Sequence, residues 1–211
     1  MTRRAVGGVQ NERGAALIEM AIVLPLVMGI LFVILDYGIV FRDQLTLQDA
    51  VNDAARAGSI MGPDTSVEGA NGDFEVISTL REGLGSIDAD AIEQIVVFKG
   101  TAPDGGSPES HVPALCKDGT SQPGECNVYP VDDAFLAAQE GNYAYFNCDA
   151  TPSSPACNWP PEDRDDGPVP DDIEYLGVWV ELRTDRFIGV AGPSFVDRAA
   201  IVRLEPGEVP A

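Results

Sequence analysis

Two groups of residues in this chain bring ionisable or redox chemistry into settings that demand a physical account. The first is Glu19, a carboxylate five positions after Gly14, at the head of a run from Met20 to Leu35 that holds sixteen residues without a charge. A carboxylate in hydrocarbon costs about 2.5–3.5 kcal/mol at the middle of a spanning helix and less near its ends, so Glu19 needs an interface or an opposite charge. The second group is Cys116, Cys126, Cys148 and Cys157, which form disulfides wherever the compartment is oxidising. Four cysteines permit three pairings; loop closure costs least for short loops, which favours Cys116 with Cys126 and Cys148 with Cys157.

Other chemical signals are weaker. The chain has no C-x-x-C and one histidine, His111, so no zinc site is expected. Glu162, Asp163, Asp165, Asp166, Asp171 and Asp172 supply oxygens for calcium but lack the glycine spacing and closing glutamate of an EF-hand loop, and read as a solvated acidic stretch. Gly83-Leu84-Gly85 has no third glycine to build a phosphate-cradling turn, and there is no G-x-S-x-G. No catalytic residue, cofactor or metal is expected, and the chain does not read as an enzyme.

The element that must position Glu19 is a membrane helix. Residues 15 to 41 supply the ~20 apolar residues needed to cross ~30 Å of hydrocarbon. Arg3, Arg4 and Arg13 precede the run, which places the N-terminus in the cytoplasm and the C-terminal part outside, where the cysteines can oxidise. The apolar core is too long for a cleaved secretory signal, and the nearest A-x-A, Ala55 to Ala57, lies far beyond it. Residues 43 to 211 hold nine Lys and Arg against 31 Asp and Glu, a formal net charge of −22 that repels nucleic acid and anionic head groups.

The helical period continues past the span. Val40, Leu47, Val51, Ala54 and Gly58 share one arc of the wheel, opposite Thr46, Asp49, Asn52, Asp53 and Arg56. One helix from about Ala15 to Ile60 is expected, kinked at Pro25, which removes a backbone donor, and stopped by Gly58, Gly62 and Pro63. Its outer half needs an apolar partner. Strands are expected at Ile92 to Phe98, Glu174 to Arg183 and Phe195 to Leu204, the last two paired antiparallel, with short helices at Asp73 to Leu84 and Val131 to Gln139. Residues 100 to 172 carry eleven of the sixteen prolines and all four cysteines and read as an irregular, disulfide-stapled insert. The fold class is α+β: a long N-terminal helix, membrane-spanning and then amphipathic, on a small antiparallel sheet. Its divisions are a leader at 1–14, a span at 15–41, a helical continuation at 42–62 and an exported domain at 63–211.

Gly14, Ala15-Ala16-Leu17-Ile18-Glu19 and the apolar run containing Pro25 resemble the type IV prepilin signal. With VLPL, Asp36-Tyr37-Gly38, the stretch from Leu47 to Ala57 and the closing RAAIVRLEP, the chain is similar to the TadE-like family of tight-adherence (Flp-type) pilus pseudopilins. The resemblance implies a pilin-like arrangement and a structural role as a minor pilin or pseudopilin at the bacterial plasma membrane. Its implied partners are a prepilin peptidase cutting between Gly14 and Ala15, other pilins and the Tad assembly machinery through the N-terminal helix, and the lipid bilayer. The new amine of Ala15, on the same or a neighbouring subunit, then pairs with Glu19. The chain departs from the family pattern at Met20, where an aromatic residue is common. The competing reading is an unprocessed, membrane-anchored extracellular binding module.

Overall fold

The computed structural model describes residues 11–61, 71–102, 105–164, 174–184 and 194–205. The expected stops at Gly62 and Pro63, most of the leader, Asp165, Asp166, Asp171 and Asp172, and the connection between the last two strands lie outside these residues.

One helix, α1, runs without interruption from Asn11 to Met61, 51 residues with Pro25 inside it. It starts before the expected Ala15 because Glu12, Arg13, Ala15 and Ala16 favour helix, and a single Gly14 costs only about 1 kcal/mol against them. It also passes through Gly58. From Asp43 onward α1 enters the fold: Leu47, Ala50, Val51, Ala54 and Ala55 are buried, while Asp49, Asp53 and Arg56 remain exposed. Gly58 is buried for want of room, since a Cβ there meets the Val76 side chain at 2.4 Å and the Leu176 side chain at 2.7 Å.

Helix α2, Gly72–Gly83, lies along this half of α1. Asn71 starts it: its side-chain oxygen accepts from the Phe74 amide at 3.0 Å, and its Nδ2 donates to the Phe146 carbonyl at 2.6 Å. Phe74, Val76, Ile77 and Leu80 give α2 its buried face.

Four strands, β1 (Ile92–Gly100), β2 (Cys126–Tyr129), β3 (Tyr175–Thr184) and β4 (Ser194–Arg203), form one antiparallel sheet in the order β2-β1-β3-β4. β3 and β4 pair antiparallel, with Val178 opposite Ala200. Strand β2 adds a regular element to residues 100 to 172, where the sequence led only to a helix at Val131 to Gln139 in an otherwise irregular insert. Four residues with one β-branched member give too short a pattern to see, yet they extend the sheet at Ile95, Val96, Val97 and Phe98.

Both faces of the sheet are covered. Ile95, Val97, Tyr129, Leu176, Val178, Val180 and Ala200 face the helical layer. Val96, Phe98, Trp179 and Ala199 face the insert, where Val112, Cys116 and Cys126 close a second, smaller core. Gly177 is required there, because the Phe98 ring passes 2.3 Å from where a Cβ would stand. The insert is built from a 3-10 turn at Pro108–His111, a single helical turn α3 (Ala114–Lys117) and a further helix α4 (Val131–Glu140) that rests on α2. Disulfides join Cys116 to Cys126 and Cys148 to Cys157. Glu109 shields the edge strand by accepting the Ala199 amide at 3.2 Å. Burial raises the pKa of this carboxyl, but hydrogen bonds from Ser107, its own backbone and Ala199, with the charge of Arg198, bring it below the ordinary value.

The far end of the insert is pinned from inside. Arg164, expected within a solvated acidic stretch, is instead buried, with a side-chain nitrogen 2.6 Å from Asp73 Oδ1. Its guanidinium lies over the Trp159 ring at 4.1 Å and donates to the Trp159 carbonyl at 3.1 Å. Asn127 Nδ2 and the Tyr129 hydroxyl donate to the other oxygen of Asp73. Burial first, and then the negative Asp73, push the Tyr129 pKa well above its ordinary value, so the phenol stays a donor. α2, β2 and the insert thereby meet at one ion pair.

Candidate functional site

The residues with processing and assembly potential lie on the half of α1 that the fold leaves exposed. From Gly14 to Leu35 every residue is exposed, and an 18-residue window within Gly14–Met61 reaches a mean hydropathy of 2.7 with none of it buried. In water such a surface is untenable: each buried Leu or Ile gains roughly 1.5–3 kcal/mol over an exposed one. The helix is long and apolar enough for single-pass membrane anchoring.

Within it, Gly14, Ala15, Glu19 and Met20 occupy consecutive turns. Ala15 and Glu19 are four apart and share a face. Glu19 is exposed and forms no ion pair with a described residue. Gly14 has open space where a Cβ would stand, so its absence of side chain is not demanded by packing inside this subunit. The same is true of Gly29 and Gly38. The Gly14–Ala15 peptide bond is helical, since α1 begins at Asn11. Pro25 leaves the Ala21 carbonyl without its helical donor, yet α1 remains helical on both sides.

Toward the outer end, Asp36 is partly buried, and Arg42 and Asp43 form a 2.9 Å ion pair just before the helix enters the domain. The cysteines are remote from Glu19 in kind as well as place. They staple the insert, Cys116 and Cys126 within the second core, and take no part in the exposed helix. His111 Nδ1 lies 2.8 Å from the Thr101 hydroxyl. Among the described residues no three His, Cys, Asp or Glu side chains converge where a metal ion could be held.

What the sequence missed is the Asp73–Arg164 pair, which joins residues ninety-one positions apart that no spacing rule connects. The division of α1 into an exposed apolar half and a domain-packed half follows the expected change from an all-round apolar surface to a one-sided arc near Val40.

The comparisons with known proteins fall on this helix. The family model described as TadE-like protein matches residues 14–56. No curated protein and no solved structure matches the chain. The match begins at the glycine before the apolar run and ends at Arg56 on the domain-packed half, so the likeness to the TadE-like family covers most of α1 and leaves the rest of the domain unmatched.

Proposed function

We propose that this chain is a minor pilin or pseudopilin of a Tad (Flp-type) pilus assembly system, held in a bacterial plasma membrane by residues 15–41, with its N-terminus cytoplasmic and residues 63–211 outside. The observation that carries this reading is the family match over residues 14–56, on a helix whose first half is wholly exposed and apolar and whose second half is built into a disulfide-bearing domain. The role is structural. The exposed half packs against lipid and then against the corresponding helices of neighbouring subunits, with Gly29 and Gly38 allowing close approach, while the domain presents a surface to other components.

In this reading a prepilin peptidase cuts between Gly14 and Ala15 and leaves the apolar helix in place. Because that bond lies in helical backbone, the first turn must unwind to be cut. Gly14 makes this easy, being the residue that helix retains least well after proline. The freed amine of Ala15, on the same subunit or the next, then pairs with Glu19. Both charges leave water together, which lowers the cost that Glu19 alone carries in the bilayer.

N-terminal sequencing of the protein from cells with and without the peptidase tests the processing step. The mature chain should start at Ala15 only when the peptidase is present, and Gly14→Ala should retain residues 1 to 14. Glu19→Ala should weaken assembly and spare export. A native chain that still begins upstream of Gly14 in peptidase-positive cells, or full assembly of the Glu19→Ala variant, returns the protein to the class of unprocessed anchored binding modules.

A further inference from the structure

Where α1 enters the domain, a groove of about 330 Å³ separates it from the start of β4, lined by Tyr37, Val40, Phe41 and Gln44 on the helix and by Phe195 and Val196 on the strand. Val196 is buried at its base, but three aromatic rings around it are not: Tyr37 is 69% exposed, Phe41 62% and Phe195 59%. Single exposed apolar side chains need no explanation. Three rings from two separate elements, gathered at one groove, are a patch.

The position of this groove along α1 identifies what covers it. Glu19 and Asp36 bracket the uncharged core of the span and are seventeen residues apart. At 1.5 Å per residue that is about 26 Å, close to the ~30 Å of a hydrocarbon core whose two ends meet water. With Asp36 at the outer boundary, Tyr37 stands about 1.5 Å and Phe41 about 7.5 Å beyond it, inside a headgroup layer roughly 5–8 Å thick on each side. Phe195 lines the same groove, across from the stretch of helix between Tyr37 and Gln44, and so lies within the same ~10 Å band of depth. Aromatic rings concentrate at that depth because a flat apolar ring fits the boundary between chains and head groups.

We propose that Tyr37, Phe41 and Phe195 are seated in the headgroup layer of the outer leaflet, so that the exported domain touches the bilayer through the start of β4 and is not merely tethered to it by α1. This rests on the reading of α1 as a single span with the domain outside. The contact is apolar in origin: Arg42 and Asp43 neutralise each other beside it at 2.9 Å, and the strongly acidic domain offers no attraction to anionic lipid. It is therefore insensitive to salt. It also fixes the azimuth of the sheet about the helix, since only one side of the domain carries Phe195.

The full chain reconstituted in phosphatidylcholine vesicles tests this with lipids brominated near the head-group end of the acyl chain, which quench tryptophan on contact. Trp159 and Trp179 are buried and supply a constant background. Phe195→Trp should be quenched about twofold more strongly than the unaltered chain, equally in low and high salt, as an aromatic at the membrane boundary must be. Ile60→Trp is the comparison, on an exposed residue of α1 about 28 Å past Phe41; it should quench no more than the background. Equal quenching at positions 195 and 60 overturns the proposal. So does quenching at 195 that falls as the protein-to-lipid ratio rises, because a second copy of the chain is then displacing lipid from the groove. Unprocessed protein serves for this assay, so failure of peptidase cleavage in cells leaves its outcome untouched, and a negative result here leaves processing untouched.

Discussion

Two carboxylates of this chain, Asp73 and Glu19, face apolar surroundings, and they are handled in opposite ways. Asp73 is completely buried and is met by Asn127 and Tyr129 of β2 and by Arg164, brought from two other places in the same chain. Glu19 stands on the exposed, apolar half of α1 and meets no cation of its own subunit among the described residues. A charge out of water costs several kcal/mol unless it is paired and hydrogen-bonded. Asp73 is therefore completed within one subunit, whereas no described residue completes Glu19. In the proposed reading its partner is the amine freed at Ala15, on the same or a neighbouring chain.

The largest predicted effect follows from breaking the internal pair. Asp73→Ala leaves Arg164 buried and uncompensated and should cost about 3–5 kcal/mol of domain stability. Urea titration of the full chain in detergent measures it through Trp159 and Trp179, both of which belong to the domain. Glu19→Ala should leave that titration unchanged. A shift of the midpoint with Glu19→Ala would show that the two regions are energetically joined, and the contrast would fail.

Smaller effects divide α1 the same way. Leu47 is fully buried, and Leu47→Ala should cost about 2–5 kcal/mol. Leu31 is 48% exposed in the isolated fold, and Leu31→Ala should leave the domain's midpoint alone. Gly58→Val drives a side chain into Val76 and Leu176, at about 1–3 kcal/mol. At Gly29 an added Cβ has nothing within 4 Å, and Gly29→Val should be silent in the same titration. If Gly29→Val nonetheless blocks assembly in cells, helix-to-helix contact between subunits is located at that glycine.

How much of this the sequence disclosed depended on whether the controlling physics was local. The span and its amphipathic continuation were legible because burial follows a fixed angular period, and the three longer strands because β-branched residues cluster in them. The two disulfides present are those with the shortest loops, nine and ten residues, where entropy alone discriminates among pairings. Strand β2 was not legible, being four residues whose pairing is dictated by β1 and by Cys126. Arg164 was misread since its neighbours in sequence are acidic and its partner in space is remote. At the candidate site, Glu19 stood out because an acid is costly in an apolar run. The aromatic groove did not, because Phe195 reaches Phe41 only through the fold.

Glu181 sharpens the contrast, since it lies between the two extremes. On β3 it is partly exposed, and burial, followed by the like charges of Asp197 and Glu93, raises its pKa above the ordinary 4.5, with Lys117 opposing. The sign of the consequence is set by which state holds the proton. A raised folded pKa means that the folded chain binds the proton more tightly than the unfolded chain, so stability is lost as pH rises from 4.5 through the folded value and is not regained above it. Glu181→Gln is uncharged throughout and escapes that loss. It should be the more stable protein at neutral pH by about 0.5 kcal/mol or less, the range of a partly exposed surface change. The advantage should vanish once the medium is acidic enough to protonate Glu181 in both states. Paired urea titrations at neutral and acidic pH measure it. Greater stability of the unaltered chain at neutral pH would mean that Lys117 outweighs Asp197 and Glu93, and that this carboxylate, like Asp73, is completed within the domain.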